Sequence, residues 1–407
     1  MNFYSLYIDP GTGSALFSIL MGAAATFYFL FRALLLKIKY GAFGKNKTKT
    51  DFTYKYVIYC EGKQYWNVFK TTVEEFENNK TELHYLTSST DDPIFNNSWE
   101  YVKPEYIGEG NKAYAFLNFL SAEIVLMTTP GLDIYQLKRS KTVKHYSHVL
   151  HSPADTTTYR LFSFDYFDSI LLTGDYQSED IRALEKLRNL PEKKLATVGC
   201  SYLDVYSCKI KQIPPENDHP FTVLVSPSWG DSALLSKYGE KLLDPLSNSG
   251  FRIIIRPHPQ SKKSENEMLE SLEKKYKENK NILWDFDKEN IYSLAKADIM
   301  ISDFSGIIYD YMFLCDKPVI YVKNNFDPRA YDADDIEHEL WQFKVLKEAG
   351  IELKEEDFNN ISNIIKNASD NEILKKARND ACTTAWQYKE EAGKNIYNFM
   401  INTVNNV

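Results

Sequence analysis

At 407 residues the chain exceeds what one hydrophobic core ordinarily serves, so two domains of usual size are expected. Hydrophobic residues make up 43%, aromatic residues 14% and charged residues 26%, a composition that excludes a disordered protein. The net charge of -8 excludes a protein that grips a nucleic-acid backbone through a basic face, so anionic ligands must be held by local groups. The five cysteines, Cys60, Cys200, Cys208, Cys315 and Cys382, form no Cys-x-x-Cys pair, so neither a zinc knuckle nor a disulfide framework is indicated.

The first feature along the chain is an uncharged run that begins after Gly13 with SALFSILMGAAATFYFLF and ends before Arg32. It is about the ~20 residues that a membrane-spanning helix needs. Only Asp9 is charged ahead of it, so the basic start of a cleaved signal peptide is missing. Arg32, Lys37, Lys39, Lys45, Lys47 and Lys49 follow it, which places the bulk of the chain on the cytoplasmic side of the cell membrane by the positive-inside rule. The expectation is a single-pass anchor over 1–38 and a basic linker over 39–53; a hydrophobic helix lying in the membrane interface or packed on the body is the alternative.

Short β-rich runs then alternate with helical stretches, the texture of a parallel α/β sheet. Strands are expected at Tyr56–Cys60, Leu83–Thr87, Ile124–Met127, Ser147–Leu150, Ile170–Thr173 and Leu195–Val198, with helices such as Trp66–Glu77 and Ser178–Asn189 between them. The polar, Pro-rich KQIPPENDHP marks a domain boundary. A second series follows, with strands Thr222–Val225, Arg252–Ile255, Ile282–Trp284, Ile299–Ile301 and Val319–Val322. The predicted architecture is therefore α/β, with two Rossmann-like doubly wound domains over 54–213 and 214–375, a helical segment over 376–407, and one transmembrane helix ahead of them.

Open α/β sheets bind ligands at the carboxyl ends of their strands, so chemistry-bearing residues there deserve functional weight. Arg256-Pro257-His258-Pro259 follows the apolar run FRIII, and its two prolines stiffen the turn that presents a cation and an imidazole. Ser302-Asp303-Phe304-Ser305-Gly306 lies between a strand and a helix, where free N–H groups bind phosphate; helix capping by the same residues is the plainer alternative. Asp310 lies in the next turn. Ser228 and Trp229, after the first strand of the second domain, are candidates to line the same cleft. His145, His148 and His151 recur every third residue, but in a strand such neighbours point to opposite faces, which argues against a metal cluster. His151 ends its strand and is a candidate general base or phosphate ligand.

Together RPHP and the later SDFSGIIYDYMFLCDKPVIYV resemble the CDP-glycerol:poly(glycerophosphate) glycerophosphotransferase family, the teichoic acid polymerase-like transferases. The resemblance covers Thr222 to Val322 and extends more loosely over His145 to Tyr202, where LHSPADT stands in place of the family's His-Gly-x-Pro-x-Lys. It implies a GT-B fold, a CDP-polyol donor held by the second domain, and a lipid-linked or polymeric acceptor approaching from the first. It further implies His151 and His258 as catalytic residues, with Arg256, Ser302, Asp303, Ser305 and Gly306 around the donor pyrophosphate, and neither a metal nor a cofactor. Three positions depart from the pattern: Ser152 follows His151 with no lysine after it, Pro-Ser-Trp-Gly replaces Pro-Thr-Trp-Arg, and Gly306 replaces a serine. These departures keep open a GT-B glycosyltransferase using a nucleotide sugar, or an inactive membrane-tethered relative.

Overall fold

The structure, a computed structural model, describes residues 21, 26–28, 30–31, 53–214, 219–287, 289–323 and 326–406. The expected anchor over 1–38 and linker over 39–53 lie almost wholly outside the described residues. Among the described residues, no helix is long and apolar enough to cross a membrane.

The first sheet has seven strands: β1 (Tyr54–Cys60), β2 (Leu83–Thr87), β3 (Val102–Tyr106), β4 (Ser121–Met127), β5 (Thr142–Val149), β6 (Ser169–Leu172) and β7 (Lys194–Thr197). They run parallel in the order β3-β2-β1-β4-β5-β6-β7. The second sheet contains β8 (Thr222–Val225), β9 (Arg252–Ile255), β10 (Ile282–Trp284), β11 (Ile299–Ser302), β12 (Val319–Tyr321) and β13 (Gly350–Glu352), also parallel, in the order β10-β9-β8-β11-β12-β13. In both sheets the chain reverses direction beside the first strand, so each has a ligand-binding crevice at its carboxyl edge, between β1 and β4 and between β8 and β11.

The connecting helices of the first unit are α1 (Trp66–Asn78), α2 (Asn111–Leu117), α3 (Gln177–Leu187) and α4 (Ser201–Lys211). Those of the second are α5 (Leu234–Ser247), α6 (Asn266–Tyr276), α7 (Ile291–Lys296), α8 (Ile307–Cys315), α9 (Trp341–Ala349), α10 (Ile361–Ser369) and α11 (Glu372–Ala385). The central strands are apolar on both faces because helices cover both: Val57, Ile58 and Tyr59 are all buried, as are Ile253, Ile254 and Ile255. A last helix, α12 (Ala392–Asn405), leaves the second unit and packs Ile396, Phe399 and Met400 into the core around α1 and β1. Residues 376–407, expected as one helical segment, thus divide: Ala381, Cys382 and Ala385 sit in the core beside α8, and the final helix serves the first unit.

Two strands were not anticipated, β3 and β13. β3, VKPEY, carries a proline and alternates little, which a sheet edge permits because one side of its backbone pairs with no strand among the described residues. β13 has three residues and also lies at an edge.

Candidate active site

In the second unit β8, β9, β11 and β12 release their chains side by side at one edge. The turn after β8 is pinned by Asp303 at the end of β11, a buried carboxylate that accepts from Ser228 N at 2.9 Å, Ser228 Oγ at 2.9 Å and Leu234 N at 2.8 Å. Ser302 is likewise internal, its hydroxyl donating to Ser226 O. Both residues tie the two loops of the crevice together. Ser228 is held by the same contacts, so neither serine offers its hydroxyl freely to a ligand.

The pinned turn lifts Trp229, 49% exposed, to within 6.3 Å of the His258 ring at a tilt of 30°. His258 accepts from Gln260 N at Nδ1, 3.1 Å away, so in the neutral ring the proton sits on Nε2. Partial burial lowers the pKa of His258, against the pull of Glu265 and Asp303, which favours that neutral ring. The result is an N–H donor aimed from the carboxyl edge. Arg256 is committed elsewhere: its guanidinium pairs with Asp285 and donates to Asp287 O.

Gly306 caps α8, and a Cβ built there would meet nothing within 4 Å. Ser305, Gly306 and the open N–H groups of the helix start therefore face unfilled space, which suits an anion. Beside them a cavity of about 530 Å³ is lined by Asp303, Phe304, Tyr321, Lys323, Phe326 and Phe343. Lys323 stands exposed at its wall immediately after β12 and forms no ion pair with a carboxylate among the described residues. Sequence reading missed it, although a lysine closing the run VIYV carries the same strand-end signal as RPHP.

In the first unit His151 follows the end of β5 by two residues. Its Nδ1 lies 3.1 Å from Thr128 Oγ1, beyond β4, and 2.9 Å from Tyr159 OH, and the Tyr65 ring packs edge-on against it. Burial lowers its pKa to about 4, so the ring is neutral at physiological pH. With Nδ1 occupied, Nε2 is the atom left for a ligand. The three histidines divide as strand geometry requires: His145 contacts Ser169 and Phe399, whereas His148 is buried among Tyr159, Phe164 and Phe167.

The segment 326–343 joins the two halves of the site. Its Phe326 and Phe343 line the cavity, while Asp332 N donates to Tyr159 O at 3.0 Å and Asp332 Oδ1 accepts from Phe162 N at 2.8 Å. Trp341 N and Gln342 N donate to Asp155 at 3.0 and 2.7 Å, and Arg188 binds Asp165, Asp332 and Asp335. The strap that walls the cavity thus also holds the loop carrying Tyr159, the partner of His151. His151 and His258 come from strand ends of different units and do not touch. Asp310 lies off the cavity, hydrogen-bonded to Tyr202 at 3.0 Å, and burial raises its pKa to about 7.

No curated protein matches the chain by sequence. Among solved structures it is similar to the wall teichoic acid polymerase TagF, at 14% identity over 92% of this chain and 98% of that one, with a TM-score of 0.55. It is also similar to UDP-GlcNAc 2-epimerase from Methanocaldococcus jannaschii, at 12% identity, 86% and 100% coverage and a TM-score of 0.56. A glycosyltransferase from Rickettsia africae has 11% identity, 88% and 100% coverage and a TM-score of 0.51. These likenesses establish a GT-B-like fold, which by itself does not choose a chemistry. The sequence pattern of one family matches residues 177–401, more than half of the chain and including every second-unit element of the crevice. The chain is a glycerophosphotransferase-like enzyme and belongs to the CDP-glycerol:poly(glycerophosphate) glycerophosphotransferase family.

Proposed function

We propose that the enzyme transfers a glycerol phosphate or related polyol phosphate from a CDP-activated donor to a membrane-linked acceptor, in the making of a teichoic-acid-like or capsular polymer. The donor occupies the second unit. Its nucleoside fills the 530 Å³ cavity, and its pyrophosphate meets the α8 start at Ser305 and Gly306, with His258 Nε2–H and Lys323 as further donors.

The acceptor hydroxyl attacks the phosphorus that carries the polyol. A new O–P bond forms, the P–O bond to CMP breaks, and CMP leaves with its negative charge met by the helix start and the donors around it. His151 Nε2 takes the hydroxyl proton, with Nδ1–H donating to Tyr159 or Thr128 in the required tautomer. The observation that carries the reading is this pair of neutral histidines on opposite units, one left as base and one as N–H donor, in a chain of this family. The uncharged run before Arg32 would tether the enzyme to the membrane that carries the acceptor, with the bulk of the chain cytoplasmic.

The test is CMP release from CDP-glycerol and CDP-ribitol by the full chain with a glycerol phosphate polymer as acceptor. Turnover that His258→Ala abolishes supports the proposal. Release of UDP from a UDP-sugar instead would move the enzyme to the glycosyltransferases, and failure to bind any nucleotide donor would leave a tethered, inactive relative.

A further inference from the structure

A second cavity, of about 580 Å³, lies at the opposite edge of the first sheet from His151. Lys55 at the start of β1, Lys80 and Thr81 just before β2, and Tyr397, Ile401 and Asn405 of α12 form its walls. The Thr81 and Tyr397 hydroxyls lie 3.1 Å apart, and Glu82, also at the wall, is occupied with His84. Lys55 and Lys80 are exposed, and neither pairs with a carboxylate among the described residues. Two ammonium groups without a carboxylate partner among the described residues, that of Lys55 standing over the Tyr56 ring, two hydroxyls and an apolar wall suit a phosphate that carries an apolar tail.

The surroundings agree. Phe119, Tyr135 and Tyr166 are exposed by 52%, 56% and 44%. Phe119 and Tyr166 belong to this edge, Phe119 just before β4 and Tyr166, whose carbonyl accepts from Arg139, just before β6; Tyr135 precedes Gln136, whose carbonyl accepts from Asn118. Lys138 and Lys141 lie exposed in the same loop. The chain arrives here from the linker that carries Lys45, Lys47 and Lys49, and Thr53 Oγ1 lies 3.0 Å from Ser121 Oγ. Amphipathic rings among lysines are the surface chemistry of a membrane interface, and in a chain of net charge -8 only a locally basic edge approaches an anionic bilayer.

We infer that this cavity seats the phosphate headgroup of an anionic phospholipid and that the amino edge of the first sheet lies on the bilayer. The seven residues of β1 then hold the His151 edge about 23 Å above the headgroups. An acceptor tethered in the membrane reaches His151 as an extended polymer end.

The inference does not rest on the donor chemistry. The full chain in neutral detergent is titrated with short-chain phosphatidylglycerol, phosphatidylcholine of the same chain length, inorganic phosphate and glycerol phosphate oligomers, and followed by thermal unfolding and hydrogen exchange. Phosphatidylglycerol alone is expected to raise the unfolding temperature and to protect 54–56, 80–82 and 397–405. The double variant Lys55→Ala/Lys80→Asn, with Asn chosen because Lys80 sits at φ 52°, is expected to bind it about thirtyfold more weakly, each lysine contributing about fivefold. Its CMP release with a soluble acceptor should match the parent, which separates failure here from failure of the transferase reading. Equal binding of phosphatidylcholine, unchanged affinity in the double variant, or tighter binding of the oligomers than of the lipid would each overturn the inference.

Discussion

His151 and His258 look alike in the sequence, each closing an apolar run, and the structure gives them different hydrogen-bonding duties. Gln260 N fixes a proton on His258 Nε2, whereas Tyr159 and Thr128 occupy His151 Nδ1 and leave Nε2 open, the atom proposed as the base. Replacing His151 with Ala should lower kcat by about 10²–10⁴-fold with little change in donor affinity, measured by CMP release and by donor titration. Because burial depresses the pKa of His151 to about 4, the basic form persists down to that value. The acid limb of kcat/KM should therefore fall as pH drops through about 4, and a limb near 6.5 would assign the proton to another group. The same depression makes folding stability greatest above His151's ordinary pKa of 6.5 and progressively lost as pH falls from 6.5 towards 4.

The loops at the crevice are fixed by residues that look like ligand contacts in the sequence. Ser302 and Asp303 bind the turn after β8, and Arg256 binds Asp285 and Asp287, so these side chains shape the crevice from beneath it. A comparable role falls to Asp155, which accepts from the first N–H groups of α9 across the unit boundary. Burial raises its pKa to about 7, Asp180 adding to the rise and the two N–H groups opposing it. The contribution of the neutral carboxyl is complete below the ordinary aspartate pKa of 3.8 and is lost as pH rises through about 7. Asp155→Asn should flatten that part of the pH–stability profile, while Asp155→Ala should cost about 1 kcal/mol as the loss of a helix cap, both readable by urea unfolding. At the other end of the chain Gly393 lets α12 lie against α1: a Cβ there would come within 2.6 Å of the Thr71 backbone. Gly393→Ala should displace α12 and lower the unfolding temperature even though alanine favours helices.

Across the whole molecule the two units are coupled by the strap 326–343. Arg188, nearly buried, meets two carboxylates there, Asp332 and Asp335, besides Asp165 of its own unit, and Asp332 is fully buried. Arg188→Met would leave Asp332 without its cation, at a cost of about 3–5 kcal/mol. Since the strap also walls the cavity proposed to hold the donor, the variant should raise the donor KM along with lowering the unfolding temperature. A fall in stability with KM unchanged would show that the strap braces the fold without shaping the cavity.

The sequence by itself determined the two parallel sheets, because central strands covered on both faces must be continuous apolar runs, and runs such as TVLV, RIII and IMIS have few other uses. It also determined which turns leave those strands, and hence that RPHP, SDFSG and His151 stand at carboxyl edges. Edge strands β3 and β13 escaped because an edge relaxes the very pattern that identifies a strand. Tertiary structure alone decided which polar groups are spent on the fold and which remain free. Asp303 and Ser228 are 75 residues apart, Asp155 and Gln342 are 187 apart, and no local spacing encodes such pairings. Lys323 and the strap became visible as part of the site in the same way, since a cavity wall is assembled from segments that only the packed sheets bring together.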